Sequence, residues 1–410
     1  MTTSSDPSRP RGRAEPPTIA IAQLDRDPHG IFRLHRLVTP FIRRDDDSYI
    51  AIRYGEVERL ATDRRTRQVE TERLRSWGIT KGALFELFAN TMVFSNGATH
   101  RRRRAPLTRA FAFRLIAELR PRIRAIAHQL LDRVEAHGEM DLVEDFAALF
   151  PAHIIGEILG LSEPDTPELT AWVRCIGRAF SFSFTQDELP EIEAAARNLD
   201  AHVVGLLEDR RARPRGDFLS SYAMEARAEG NLSPAETLAQ IVTVILAGGN
   251  TTRAAMAVQV ALLLQHEEQW EALCRDRSLI PAAVSESLRF EPAVASTARF
   301  TLTNIEIGGF VVPAGRVLSL STLSAMRDPA LYNDPDSFNI RRMDHPRRHL
   351  VFGSGPHRCL GEVLARAELE EGLAALLERF PRLRRLGEPL QMLGHAGIRR
   401  VGAVRVGWCR

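Results

Sequence analysis

Lysine is nearly absent from this chain. Lys81 is its one lysine among 55 basic residues, so the positive charge is carried by arginine. A composition bias accounts for that without any function, yet it leaves the protein rich in side chains that fork onto carboxylates where lysine cannot. Cysteine is also scarce. Cys175, Cys274, Cys359 and Cys409 are widely spaced, with no CxxC pair and no Cys/His cluster at zinc spacing. A disulfide framework is not expected in a chain this long, and reduced thiols in a cytoplasmic setting fit better. No apolar run approaches the roughly 20 residues of a membrane span. The first 18 residues are rich in Ser, Pro, Arg and Thr and lack the apolar core of a signal peptide, which predicts a disordered arm over residues 1–18. Internal repeats, low-complexity linkers and segments suited to a flavin or an iron–sulfur cluster are lacking too.

What is present is an ordinary globular composition, 44% hydrophobic and 26% charged, with a net charge of only +3. Helical periodicity dominates residues 103–290 and 360–379. Strand-like runs at 49–53, 300–302, 310–312, 317–320 and 401–406 are punctuated by turn residues such as Gly308-Gly309. One predicted helix stands out. Ser233-Pro234-Ala235-Glu236 combines an N-cap serine, a proline at the first helical position and a glutamate placed for a capping box. Helix-compatible residues then run to about residue 266, or ~48 Å at ~1.5 Å per residue. Its middle, Ala247-Gly248-Gly249-Asn250-Thr251-Thr252, is poor helix material, because each glycine costs roughly 1 kcal/mol relative to alanine. Either another helix crosses closely there or something must approach the backbone.

The most informative segment is Phe352-Gly353-Ser354-Gly355-Pro356-His357-Arg358-Cys359-Leu360-Gly361. A glycine-rich loop delivers a cysteine to the start of a helix whose polar positions include Arg366, Glu368 and Glu370. A thiolate there is stabilised by the helix dipole and by free backbone N–H groups, which suits an iron ligand. A buried structural cysteine is the alternative. A phosphate-binding loop is excluded, because the spacing matches neither GxGxxG nor GK[ST].

This segment resembles the haem-binding signature of the cytochromes P-450, with Phe352, Gly353, the basic position, Cys359 and Gly361 in register. The resemblance implies a mainly α fold with small β-sheets. It also implies a single domain over residues 19–410, with haem b (iron protoporphyrin IX) between the long central helix and the Cys-loop helix, and Cys359 on the iron. Further segments agree in order and spacing. Glu286-Ser287-Leu288-Arg289 is similar to the family's Glu-x-x-Arg helix, and Arg342 is then the third member of a buried structural triad. Thr99-His100-Arg101-Arg102-Arg103-Arg104, placed just before a helical run over 105–119, aligns on His-x-x-x-Arg. His100, Arg104, Arg299 and His357 would then hold the haem propionates. Read alone, the four arginines are a solvated face; no aromatic interleaving or recognised module supports nucleic-acid binding. Ala247, Gly248 and Thr251 match the family's oxygen-binding groove, making Thr251 the expected catalytic hydroxyl. Asn250 departs from the family, where an acid precedes the threonine. An amide orients water but relays no proton at neutral pH, so proton delivery is expected through waters held by Asn250 and Thr252, or through a substrate group.

The resemblance further implies a monooxygenase that activates dioxygen and oxidises a hydrophobic small molecule in secondary metabolism or catabolism. A ligand-binding or sensor haem protein and a peroxide-driven enzyme are the alternatives. Electrons would come from a ferredoxin and an NAD(P)H-dependent ferredoxin reductase, docking on Arg101, Arg102, Arg348 and Arg358. Neither nucleic acid nor membrane is an expected partner. The substrate pocket is expected from Phe85, Phe88, Met92, Phe94, Phe182, Val244, Val294 and Ala295, with the loop at Leu393-Gly394 nearby.

Overall fold

Ser233 caps the longest helix, Pro234–Gln265: its Oγ accepts from the Glu236 N–H at 3.1 Å, and Glu236 Oε2 accepts from the Ser233 N–H at 2.9 Å. The anticipated capping box is therefore formed. Glu236 does more than cap. It accepts from Arg102 (2.6 and 2.7 Å) and Arg103 (2.9 Å), which fastens the helix Gly97–Ala110 across the start of the central helix. Those hydrogen bonds, Arg102's first, pull its carboxyl down to about 2.

The computed structural model describes residues 15–111, 113–161, 166–180, 184–345 and 349–408. Around the central helix pack Phe113–Val134, Leu149–Leu159, Thr166–Phe180, Leu189–Ala212, Ile280–Phe290 and Glu362–Arg379. Apolar side chains of all of them share one core with the central helix. Arg120 and Arg124 reach across from Phe113–Val134 to Glu371, and Arg124 also to Glu378, which aligns that helix on Glu362–Arg379. Among the described residues only the central helix is long and apolar enough to cross a membrane. Of that apolar window, 67% is buried within the protein, as for a core helix.

The strands are short and lie mostly before residue 70 and after residue 295, with Glu139–Asp141 between. A six-stranded mixed sheet runs in the order Thr18–Ile19, Phe41–Arg44, Tyr49–Ala51, Val317–Ser321, Ser296–Thr301, Thr66–Gln68. Thr18, the last residue of the expected arm, pairs with Arg43. The antiparallel register sets Gln68 opposite Arg299. The run 401–406 is not one strand. Arg400–Val401 pairs with Met392–Leu393, whereas Arg405–Gly407 joins Arg384–Arg385 and Glu139–Asp141. Gly402 N–H closes the first ladder on Gln391 O, and Val404 O accepts from Leu142 N–H, so the chain passes from one sheet to another. The helix expected over 105–119 is also two elements. Gly97–Ala110 ends at Phe111, and Phe113–Val134 begins afresh.

Candidate functional site

The glycine-rich loop has the backbone that its composition demands. Gly353 and Gly355 adopt φ of 72° and 67°, in the left-handed region, and a Cβ on Gly355 would run into Thr62. The fold brings the Cys359 N–H back onto Phe352 O at 2.8 Å, so Phe352 acts through its carbonyl, while its ring lies under Arg366. Leu360 and Gly361 turn before the helix starts at Glu362, slightly later than expected. Cys359 faces a cavity of 280 Å³. Burial pushes its thiol up, and the Gly361 N–H, then Arg104 and Arg358, pull it back. Cys175 and Cys274 are also free thiols, and Cys409 lies outside the described residues.

The same cavity gathers residues far apart in sequence. His100, Arg104, Arg299 and His357 line one part of it, and Ala247, Gly248 and Thr251 line another. His100 and Arg104 lie one turn apart on Gly97–Ala110, inside the helix rather than before it. The imidazoles of His100 and His357 lie 3.9 Å apart between centroids, tilted by 35°. Arg104 Nη2 donates to Arg358 O at 2.7 Å, tying that helix to the cysteine loop. Arg299 donates to Gln68 Oε1 and, at 3.0 Å, to Ala61 O. Gln68 is itself anchored: its N–H donates to Asn96 Oδ1 (2.7 Å) and its carbonyl accepts from Asn96 Nδ2 (3.0 Å). Sequence reasoning missed Gln68, because only the strand register reveals its partner.

Burial dominates the electrostatics here. His100 is lowered to about 4 by burial and then by Arg104 and Arg101. His357 is lowered to about 3 by burial, His100, Arg299 and Arg104. Both are therefore neutral at pH 7. Arg299 is lowered to about 10 by burial alone, with no carboxylate opposite it among the described residues. Arg104 and Arg299 thus bring two guanidinium groups to the cavity with no carboxylate paired to either among the described residues, beside two neutral imidazoles. That is the donor set required by a flat macrocycle bearing two carboxylates and an iron for Cys359.

Glu286 and Arg289 are fully buried and doubly hydrogen-bonded at 2.7 and 2.8 Å. Arg342 Nε approaches Glu286 at 3.3 Å, and the Asn339 N–H adds 2.8 Å. Arg289 spends its remaining donors on the carbonyls of Met326, Pro335 and Ser337. Every charge in the triad is thus paired, as burial requires.

Several expectations need correction. Thr251 lines the cavity, its Oγ1 donating to Ala247 O at 2.9 Å, but the Asn250 side chain points off the opposite side of the helix. Its Nδ2 donates to Val173 O at 3.4 Å and it lines a different cleft from Thr251. One helical step is about 100°, which is enough to separate the two neighbours. Thr252 instead faces Glu368, which was expected on a polar face and is 1% exposed at the cavity wall. Burial drives the Glu368 carboxyl well up, the Thr252 hydroxyl only partly offsetting it, and Oε2 has no partner. The glycine gap is explained by close packing: a Cβ on Gly248 would meet Ile155 Cδ1 at 2.6 Å. Of the expected substrate contacts, Met92 and Val244 line the cavity, joined by Val93, Thr297 and Leu320. Phe88 stacks on Phe94 at 4.3 Å within the core, and Phe85 and Phe94 border a separate cleft. Ala295 is fully buried in another cluster, Val294 bridges to Ile398, and Phe182 lies outside the described residues. On the surface, Arg102 is committed to Glu236 and Arg358 to Glu362 (2.6 Å), Arg348 is outside the described residues, and Arg101 stays exposed.

Known proteins are similar to this chain in sequence and in fold. The cytochrome P450 family model matches residues 84–392, well over half of the chain. The chain is 43% identical over 386 residues to the plant-inducible cytochrome P450-pinF1 of Rhizobium radiobacter, covering 94% of this chain and 91% of that one. It is 32% identical over 355 residues to 6-deoxyerythronolide B hydroxylase of Saccharopolyspora erythraea, covering 84% and 86%. The crystal structure of CalO2 superposes with a TM-score of 0.88 at 27% identity, covering 95% of this chain and 97% of that one. The mainly helical fold, the cysteine facing its cavity and these likenesses agree: the chain belongs to the cytochrome P450 family, and it is a monooxygenase with a haem cofactor.

Proposed function

We propose that this monooxygenase would hold haem b with Cys359 as the iron ligand and His100, Arg104, Arg299 and His357 toward the propionates, and that it oxidises a hydrophobic small molecule in the cytoplasm with electrons from a ferredoxin and an NAD(P)H-dependent ferredoxin reductase. One observation carries this reading. Arg104 and Arg299 face the Cys359 cavity with a charge of +2 and no opposing carboxylate on Arg299. Two propionates would neutralise that charge through forked, charge-assisted hydrogen bonds. Bound there, the haem would supply reductive dioxygen activation, and the Cys359 thiolate would donate electron density to its iron.

The chain's own residues supply the rest. Gly353 and Gly355 shape the loop that aims Cys359 into the cavity, and the Gly361 N–H supports its negative charge. The Thr251 hydroxyl, bonded to Ala247 O, is a polar group that its helix turn offers to that cavity beside Gly248, and Thr252 of the same turn also lines it. Burial disfavours the Glu368 anion and so favours the protonated carboxyl, with Thr252 Oγ1 beside it. We assign proton delivery to this carboxyl in place of waters held by Asn250. Met92, Val93, Val244 and Leu320 form an apolar wall that excludes water and receives the substrate. An acidic ferredoxin would dock near Arg101, which remains exposed beside Arg104 and Arg109 in a shallow depression next to the cysteine loop. The test is direct. The reduced protein with carbon monoxide should show the band of thiolate-ligated haem, lost in Cys359→Ala. With a surrogate ferredoxin and reductase it should consume NADPH and release oxidised product. Product formed with peroxide but not with the electron donors would refute the ferredoxin dependence.

A further inference from the structure

On the far side of the central helix lies a second cleft of 390 Å³. It opens between Phe113–Val134, the π-helical turn Leu142–Ala147, Leu149–Leu159 and Thr166–Phe180. Arg133, Arg174 and Glu144 form its rim, and Arg253, Asn250 and Ile155 lie deeper. The charge is unbalanced, with three guanidinium groups against one carboxylate. Glu144 is 3.9 Å from Arg174, a loose exposed pair worth little. Arg253 makes no ion pair among the described residues, and its Nε is buried without a partner. The rest of the lining is mostly apolar.

We infer that this cleft is a binding site for a small amphipathic carboxylate, an apolar body of a short chain or ring whose anion lies between Arg253 and the rim arginines. Buried donors without acceptors are costly, and a forked guanidinium matches a carboxylate in geometry and charge. Position 250 explains why the acceptor must come from outside. An acid there would itself stand in this cleft beside the arginines, whereas Asn250 leaves them uncompensated. The site is separate from the haem-side cavity but adjoins it. Ile155 lines both, its Cδ1 filling the notch at Gly248, so a ligand in the cleft rests against the helix turn that carries Thr251.

The inference is independent of the proton route assigned to Glu368 and is tested without turnover. The haem-containing protein is saturated with 4-phenylimidazole, which closes the haem-side cavity, and sodium octanoate is titrated by calorimetry. One equivalent should bind. Octanol, equal in chain length but uncharged, should bind at least about tenfold more weakly, as loss of a charge-assisted hydrogen bond predicts. Arg253→Gln and Asn250→Asp should each weaken octanoate about tenfold or more, the second by placing a carboxylate where the ligand's would sit. An unchanged carbon monoxide spectrum certifies that each variant is folded. No octanoate binding to the imidazole-saturated protein overturns the inference. Equal affinity for octanol overturns it as well, and that comparison needs no variant.

Discussion

Replacing Glu368 by glutamine tests the buried carboxyl most directly. Glu368 is 1% exposed, one of its oxygens lacks a partner, and burial raises its pKa well above the ordinary carboxyl value. Above the unfolded carboxyl's titration, near pH 4.5, the unfolded chain has lost this proton while the folded chain keeps it. The folded state then binds one proton more, so stability falls as pH rises, by about 1.4 kcal/mol per pH unit, until the folded pKa is passed. Glutamine has the same shape and no titration. Its advantage over glutamate should therefore be near zero at pH 4.5 and grow by that slope. For 410 residues the unfolding entropy is about 0.9 kcal/mol/K, so the Tm of Glu368→Gln should gain on the parent by roughly 1.5 °C per pH unit. Melting both proteins in steps between pH 4.5 and 8 measures this. A Tm difference independent of pH would refute the reasoning, because it would mean that the carboxyl titrates alike in the folded and unfolded states.

Glu286→Gln removes the anion that pairs with the fully buried Arg289 and leaves Arg342 with Asp344 alone, and should cost about 3–5 kcal/mol. That is a Tm loss of roughly 4–6 °C, and a loss under about 1 °C would contradict the triad's role. Arg299→Leu should speed haem transfer to apomyoglobin about tenfold or more, since a buried charge-assisted contact is lost; an unchanged rate would remove Arg299 from the propionate set. Gly248→Ala gains up to about 1 kcal/mol of helix propensity but drives a Cβ to 2.6 Å from Ile155 Cδ1, an overpacking cost of about 1–3 kcal/mol. In an Ile155→Val background, which lacks that methyl, the same change should be at least about 1 kcal/mol more favourable. Additive effects in urea denaturation would show that the notch does not matter.

Local patterns were legible in the chain because local physics sets them. Ser233, Pro234 and Glu236 cap the long helix through contacts three residues apart, and the His100–Arg104 spacing is one helical turn. The glycines of the cysteine loop announce a backbone that only glycine adopts easily. Family register singled out Glu286, Arg289 and Arg342, which form ion pairs in the fold, and Arg299, which lines the cavity of Cys359. What tertiary structure decided was the direction in which single side chains look. Asn250 and Thr251 are neighbours in sequence, yet one turns to the rear cleft and the other to the cysteine cavity, because each helical step rotates the side chain by about 100°. Glu368 reads as a surface residue by its type and is buried because the central helix packs over it. Gln68 meets Arg299 only through the register of two strands that begin some 230 residues apart. The phenylalanines expected around the substrate are apolar enough for either place, and core packing claimed Phe88. Periodicity and caps are written over a few residues, whereas a pocket wall is assembled from segments whose meeting depends on the packing of the entire chain.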